Sequence, residues 1–110
     1  MERPNAWLTY SDADMQDLET VAKKYRHFLN VGKTERECIT QIVKEAEEAG
    51  YVSLEEKVKN GEALKAGDKV YQVGMQKIIA LYHIGEEDLA QGMNILCAHI
   101  DSPRLDIKQN

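Results

Sequence analysis

One short run of apolar residues constrains the fold of this chain more than any other feature. Residues 95–98 read Ile-Leu-Cys-Ala without a polar interruption, a pattern typical of a strand covered on both faces of a sheet. His99 and Asp101 follow directly. Because residues two apart in an extended chain point to the same side, these side chains share a face at the carboxyl end of the predicted strand. Open α/β sheets bind ligands at that end.

A histidine and an aspartate in this position fit a metal site. A neutral imidazole can bind a metal through one nitrogen while its other N–H donates to a carboxylate. A pattern of this kind allows His99 to be a metal ligand that Asp101 orients. His-x-Asp is a weak pattern by itself, and such a pair at a strand end more often forms a structural hydrogen bond. Both interpretations stay open on the pattern alone.

Three helices are predicted before the first strand. Each begins at a Ser or Thr with an acidic residue three positions later, which is the spacing of a capping box, and a glycine follows each as a stop. The starts are Ser11 with Asp14, Thr34 with Glu37 and Ser53 with Glu56, and the stops are Gly32, Gly50 and Gly61. The first helix carries an apolar stripe that predicts a buried face. Its members are Met15, Leu18, Val21, Ala22, Tyr25, Phe28 and Leu29.

Strands are predicted in the second half of the chain. Residues 69–73 alternate in polarity, residues 77–84 form a mostly apolar stretch, and the turn between them predicts an antiparallel hairpin. A further extended piece is expected at residues 104–108, beyond the apolar run. Two helices and a short helix followed by three or four strands predict an α/β fold with a mixed sheet and flanking helices.

Composition excludes several classes of function. The net charge of −5 over 110 residues argues against nucleic-acid binding, which usually requires a basic patch. No run approaches the roughly 18 apolar residues of a membrane span, and the first residues lack the pattern of a signal peptide. We therefore expect a cytoplasmic protein without membrane or nucleic-acid partners, whose two cysteines, Cys38 and Cys97, are reduced.

Longer segments carry a resemblance to a known family. Residues 98–105, Ala-His-Ile-Asp-Ser-Pro-Arg-Leu, closely resemble the first metal-ligand segment of the aminopeptidase I family of zinc metallopeptidases, bacterial type. The segments at 5–8, 32–36, 67–71, 79–81 and 92–95 also look like the opening of such proteins. The resemblance covers essentially the whole chain. It implies that residues 1–110 are an incomplete N-terminal portion of the catalytic domain, an α/β/α sandwich, with residues 1–10 as an N-terminal arm.

The resemblance also implies a function. Members of this family are zinc-dependent aminopeptidases that remove N-terminal residues from peptides with a metal-activated water, and they carry two zinc ions per active site. Only His99 maps onto a metal ligand, and Asp101 maps onto the carboxylate that orients it. The remaining ligands and the general base are expected beyond Asn110. The chain alone is therefore expected to be inactive, and the full-length protein to be a homo-oligomer acting on peptide substrates.

A second interpretation belongs to another class of protein. The chain could be a non-catalytic, stand-alone or assembly fragment in which His99 and Asp101 form a structural pair. One histidine and one carboxylate cannot supply the three or four ligands of a zinc site. A longer open reading frame with further acidic and histidine segments favours the enzyme, whereas a stop codon after Asn110 favours the fragment.

Overall fold

The computed structural model describes residues 5–101 of the chain. The chain divides into two compact units with a boundary between Val31 and Gly32. The first unit contains a 3-10 turn and one long helix. The second contains two α-helices, a small mixed sheet and a 3-10 turn at Leu89–Gln91. The predicted α/β class is confirmed.

The long helix of the first unit, α1, spans Asp12–Val31. Its start is the predicted capping box: the Ser11 backbone N–H donates to Asp14 Oδ2 at 2.8 Å, and the Asp14 N–H donates to Ser11 Oγ at 3.3 Å. These bonds satisfy donors that a helix N-terminus otherwise leaves without partners. The bonds from Ser11 also hold the pKa of the Asp14 carboxyl below its usual range.

The apolar face of α1 is less buried than the sequence predicts. No residue of the helix is buried, and Val21 and Tyr25 are 67% and 61% exposed. Ahead of the helix, the 3-10 turn Ala6–Leu8 carries Trp7, whose ring meets Tyr10 edge-on at 5.7 Å between centroids. The stripe that the sequence predicts to be buried therefore contains no buried residue in this helix.

The second unit begins with helix α2, Glu35–Glu48, and continues with helix α3, Leu54–Lys59. Helix α2 starts at the predicted capping box of Thr34 and Glu37. Helix α3 starts at Ser53 as predicted, but the Ser53 side chain makes no cap hydrogen bond, so the third capping box is wrong. Ser53 belongs to a short strand that pairs with Tyr71, and this pairing sets the local backbone.

Three strands form the sheet in the order β1, β2, β3. Strand β1, Val52–Ser53, is parallel to β2, Lys69–Gly74, and β2 is antiparallel to β3, Ile78–His83. The hairpin of β2 and β3 confirms the prediction, while β1 has only two residues and leaves no sequence pattern. The core lies where α2 meets the sheet, with its buried apolar residues at Cys38, Ile39, Ala46 and Val70.

The predicted strand at residues 95–98 does not form in the described part of the chain. Residues 92–101 have no regular secondary structure, and Ile95 and Leu96 are 70% and 99% exposed. A strand that is apolar on both faces is stable only between neighbouring strands and covering layers, and residues 5–101 supply neither around this segment. The extended piece predicted at 104–108 lies outside the described residues.

Candidate metal-ligand site

The two residues singled out by the sequence lie together at the end of the described chain. The side chains of His99 and Asp101 are 77% and 76% exposed. Both follow a segment without regular secondary structure rather than the end of a strand. Their juxtaposition comes from the local backbone, which brings residue 101 back toward the imidazole of residue 99.

The imidazole of His99 is held through one nitrogen. Its Nδ1 lies 2.8 Å from the backbone carbonyl oxygen of Asp101 and 3.6 Å from the carboxylate oxygen Oδ1. A carbonyl oxygen only accepts hydrogen bonds, so this bond requires the proton on Nδ1. In a neutral imidazole the lone pair then resides on Nε2, the nitrogen left for a metal. The nearest orienting group is thus the main chain of Asp101, with its carboxylate slightly farther away.

His99 opens onto a shallow cleft of about 410 Å³. One wall is the segment 98–101, and the opposite wall comes from the start of β3 and the start of α2. The lining residues are Glu35, Lys77, Ile78, Ile79, Ala98, His99, Ile100 and Asp101. The sequence does not predict that Glu35, Lys77 and Ile78 line this cleft, because no local pattern connects positions so far apart in the chain. Half of the lining is apolar, and the other half can carry charge.

The described residues hold one candidate metal ligand rather than a full set. Within residues 5–101, no three His, Cys, Asp or Glu side chains form a group that could hold a metal ion. Catalytic zinc sites use three protein ligands and an open position. The donor set at this cleft therefore fits one histidine of such a site with a nearby carboxylate. His27, His83 and Cys97 are exposed elsewhere in the described part of the chain.

A second cleft, of about 540 Å³, lies beside β1 and α3 and contains a charge cluster. Lys57 Nζ is 3.2 Å from Glu62 Oε2 and 3.5 Å from Asp68 Oδ2. The hydrogen bond to Glu62 raises the pKa of Lys57, and the same bond lowers the pKa of Glu62. The backbone N–H of Lys65 holds the pKa of Asp68 low. The positive charge of Lys57 is thus paired with two carboxylates. These ion pairs connect α3 to the loop before β2, which is a structural role.

A tyrosine–carboxylate bond connects the sheet to α2. The Tyr71 hydroxyl donates to Glu47 Oε1 at 2.8 Å, and this bond is the main cause that raises the pKa of Tyr71 to about 12. On the same strand, Lys69 Nζ donates to the Ala49 carbonyl oxygen at 3.2 Å and lies over the Tyr51 ring. The polar contacts of β2 thus fix the end of α2 against the sheet.

Among residues 5–101, none of the helices has the length and apolar character needed to span a membrane.

Comparisons with known proteins identify the family of this chain. A family model described as aminopeptidase I zinc metalloprotease (M18) matches residues 28–110. A Clostridium acetobutylicum protein named probable M18 family aminopeptidase 1 is 45% identical over 109 residues, covering 99% of this chain and 23% of that protein. A Thermotoga maritima protein of the same name is 38% identical over 114 residues, with 100% and 23% covered.

Solved structures show the same similarity at the level of the fold. Aminopeptidase I from Borrelia burgdorferi has a TM-score of 0.81 at 30% identity, covering 92% of this chain and 24% of that one. An M18 family aminopeptidase from Thermotoga maritima has a TM-score of 0.78 at 35% identity, covering 94% and 21%. The chain therefore spans about a quarter of the length of the relatives it matches. With the family model matching most of its residues, the chain belongs to the aminopeptidase I zinc metalloprotease family, M18.

Proposed function

We propose that the full-length protein is a zinc-dependent aminopeptidase that removes N-terminal residues from peptides, with His99 as a zinc ligand and Asp101 as the residue that orients it. One observation carries the assignment. The hydrogen bond from Nδ1 of His99 to Asp101, at 2.8 Å, leaves the lone pair on Nε2 for a metal, and His99 lines a shallow cleft. Family membership across residues 28–110 supports the chemistry.

The residues of this chain would contribute ligand geometry. Zinc, when bound, supplies Lewis acidity that activates a water molecule for attack on the peptide carbonyl. His99 donates one imidazole lone pair, and Asp101 fixes the ring and its tautomer through the contacts at 2.8 and 3.6 Å. Such outer contacts also raise the basicity of the ligand nitrogen. Asp101 is therefore a positioning residue.

The remaining parts of the proposed site come from outside this chain. A two-zinc site needs further ligands and a general base, and residues 5–101 contain no ligand cluster of their own. We assign these groups to the parts of the full-length protein that follow Asn110. In that setting, residues 1–110 are the N-terminal portion of the catalytic α/β/α domain, and residues 1–10 form its arm.

The exposed apolar surfaces fit this assignment. In the proposed protein, residues 95–98 form a strand of a larger mixed sheet, which places Ile95 and Leu96 under cover and His99 at the strand's carboxyl end. The exposed stripe of α1 is covered in the same way by the rest of the protein or by another subunit. We infer a cytoplasmic homo-oligomer that acts on peptides, with no nucleic-acid or membrane partner.

A non-catalytic fragment remains the second candidate. It is favoured by the high exposure of His99 and by the missing ligand cluster in residues 5–101. In that case His99 and Asp101 form a structural pair that contributes to stability and binds no zinc.

Activity assays on two lengths of the protein separate the candidates. The full-length protein should hydrolyse an aminoacyl chromogenic substrate, lose this activity to a chelator and regain it with zinc. The 110-residue chain should be inactive and should not bind zinc at micromolar affinity. A full-length protein that remains inactive with zinc would contradict the enzymatic proposal.

A further inference from the structure

The turn between β2 and β3 has a sequence that does not suit its backbone. Met75 and Gln76 have φ values of 51° and 56°, and the Lys77 N–H donates to the Gly74 carbonyl oxygen at 3.0 Å. Two consecutive positive φ values are typical of a type I′ turn, which favours Asn-Gly. Residues such as methionine and glutamine are uncommon at positive φ. Met75 gains no packing in return among the described residues, because it is 82% exposed.

The strand that follows this turn forms a wall of the cleft containing His99. Lys77, Ile78 and Ile79 line the same cleft as the segment 98–101. Ile78 is 60% exposed, and its cross-strand partner is Gly74. Because glycine has no side chain, the neighbouring strand β2 does not cover the Ile78 side chain at this pair. The start of β3 thus presents an accessible apolar side chain beside the proposed metal ligand.

Unfavourable local conformations persist where function retains them. Here the turn keeps a large, adaptable thioether at its tip, two residues before Lys77, which lines the half-apolar cleft. We propose that the β2–β3 hairpin is a specificity wall of the substrate cleft: Ile78 contacts an apolar side chain at the N-terminus of the peptide, and Met75 extends this contact. The inference rests on the proposed aminopeptidase function and assigns its substrate contact.

Two variants of the full-length protein test this wall. Ile78→Ala removes the apolar contact in the cleft. The double variant Met75→Asn, Gln76→Gly keeps the type I′ backbone, replaces the thioether with a short polar amide and removes the side chain at position 76. Val58→Ala is the matched control, since Val58 is 68% exposed on α3 and does not line the cleft. Each variant is assayed with zinc on peptides that begin with leucine or with alanine, and its melting temperature is measured without zinc.

The expected result is a loss of selectivity through KM. Ile78→Ala should lower kcat/KM for the leucine peptide about tenfold relative to the alanine peptide, the discrimination that an apolar pocket typically provides. The turn variant should lose selectivity in the same direction while its melting temperature rises. The control should match the wild type in both measurements.

The opposite results overturn the proposal in separable ways. If Ile78→Ala keeps the wild-type ratio between the two peptides, Ile78 is not the contact; if the turn variant keeps it, Met75 is not. Equal losses on both peptides indicate a structural role and also overturn the proposal. A wild-type enzyme without zinc-dependent activity contradicts the proposed function itself, and the specificity wall with it.

Discussion

At the scale of single residues, the candidate site depends on how Asp101 holds His99. The main-chain carbonyl of Asp101 is the closer acceptor at 2.8 Å, and the carboxylate lies 3.6 Å from the same nitrogen. The carbonyl fixes the ring regardless of the side chain at position 101. The carboxylate adds negative charge, which favours a metal-bound imidazole.

Replacing Asp101 with Asn separates these two contributions. The variant keeps the carbonyl contact and the side-chain size but loses the charge. In the full-length protein, we expect zinc affinity to fall roughly 10–100-fold and the melting temperature of the zinc-free protein to stay unchanged. Competition with a chromogenic zinc chelator measures the affinity. Destabilised zinc-free protein with unchanged zinc affinity would instead indicate a structural pair.

Tyr71 predicts a specific response to alkaline pH. Its pKa of about 12 in the folded chain lies above the usual 10.0, mainly because its hydroxyl donates to Glu47. A group whose folded pKa is raised contributes stability that is complete below the unfolded pKa and is lost as the pH rises through the folded pKa. We expect this contribution to be full below pH 10 and to vanish toward pH 12. The free energies of unfolding of the wild type and of Tyr71→Phe, measured by chemical denaturation, should therefore converge between pH 10 and pH 12.

At the scale of elements, the helix starts show how far local sequence determines structure. The capping boxes at Ser11 and Thr34 form as predicted because each needs only residues three positions apart. The β2–β3 hairpin also forms from local signals. The box at Ser53 fails because Ser53 belongs to β1 and pairs with the distant Tyr71 of β2, and a two-residue strand has no periodicity that could predict it.

The candidate site was only partly predictable from the sequence, because some of its contacts are local and others are tertiary. His99 and Asp101 are two positions apart, and their contact follows from the local chain. Glu35 and Ile78 reach the cleft only through tertiary structure. The apolar pattern at 95–98 is typical of a buried strand, but such a strand needs neighbours that residues 5–101 do not contain. The predicted strand is therefore wrong for this part of the chain.

Two matched substitutions test the difference between the caps. Thr34→Ala removes a side chain that accepts from the Glu37 N–H at 3.3 Å, and the loss of such a cap typically costs about 0.5–2 kcal/mol. Ser53→Ala removes no cap bond and should cost much less. Hydrogen exchange at the first turns of α2 and α3 in the full-length protein measures both effects. Equal increases in exchange at the two helix starts would contradict the observed caps.

At the scale of the whole molecule, the described chain exposes apolar surface that a stable monomer would bury. Leu96 is 99% exposed, and Val21 and Tyr25 on α1 are 67% and 61% exposed. The sheet has three strands, and β3 has no second neighbour among the described residues. Exposed apolar segments and open strand edges promote association.

The isolated 110-residue chain should therefore self-associate. Leu96→Glu places a charge in the middle of the exposed run and should shift the chain toward monomer, whereas Val58→Glu on α3 should have little effect. Analytical ultracentrifugation measures the distribution of species. A wild-type chain that sediments as a monomer with a cooperative melt would contradict this prediction.

The central claim is that His99 binds zinc in the full-length protein. The most direct test counts zinc per subunit by elemental mass spectrometry in His99→Ala, with His83→Ala as the control, because His83 ends β3 and does not line the cleft. We predict that His99→Ala loses bound zinc and peptidase activity while the control keeps both. A normal zinc content in purified His99→Ala would contradict the ligand assignment.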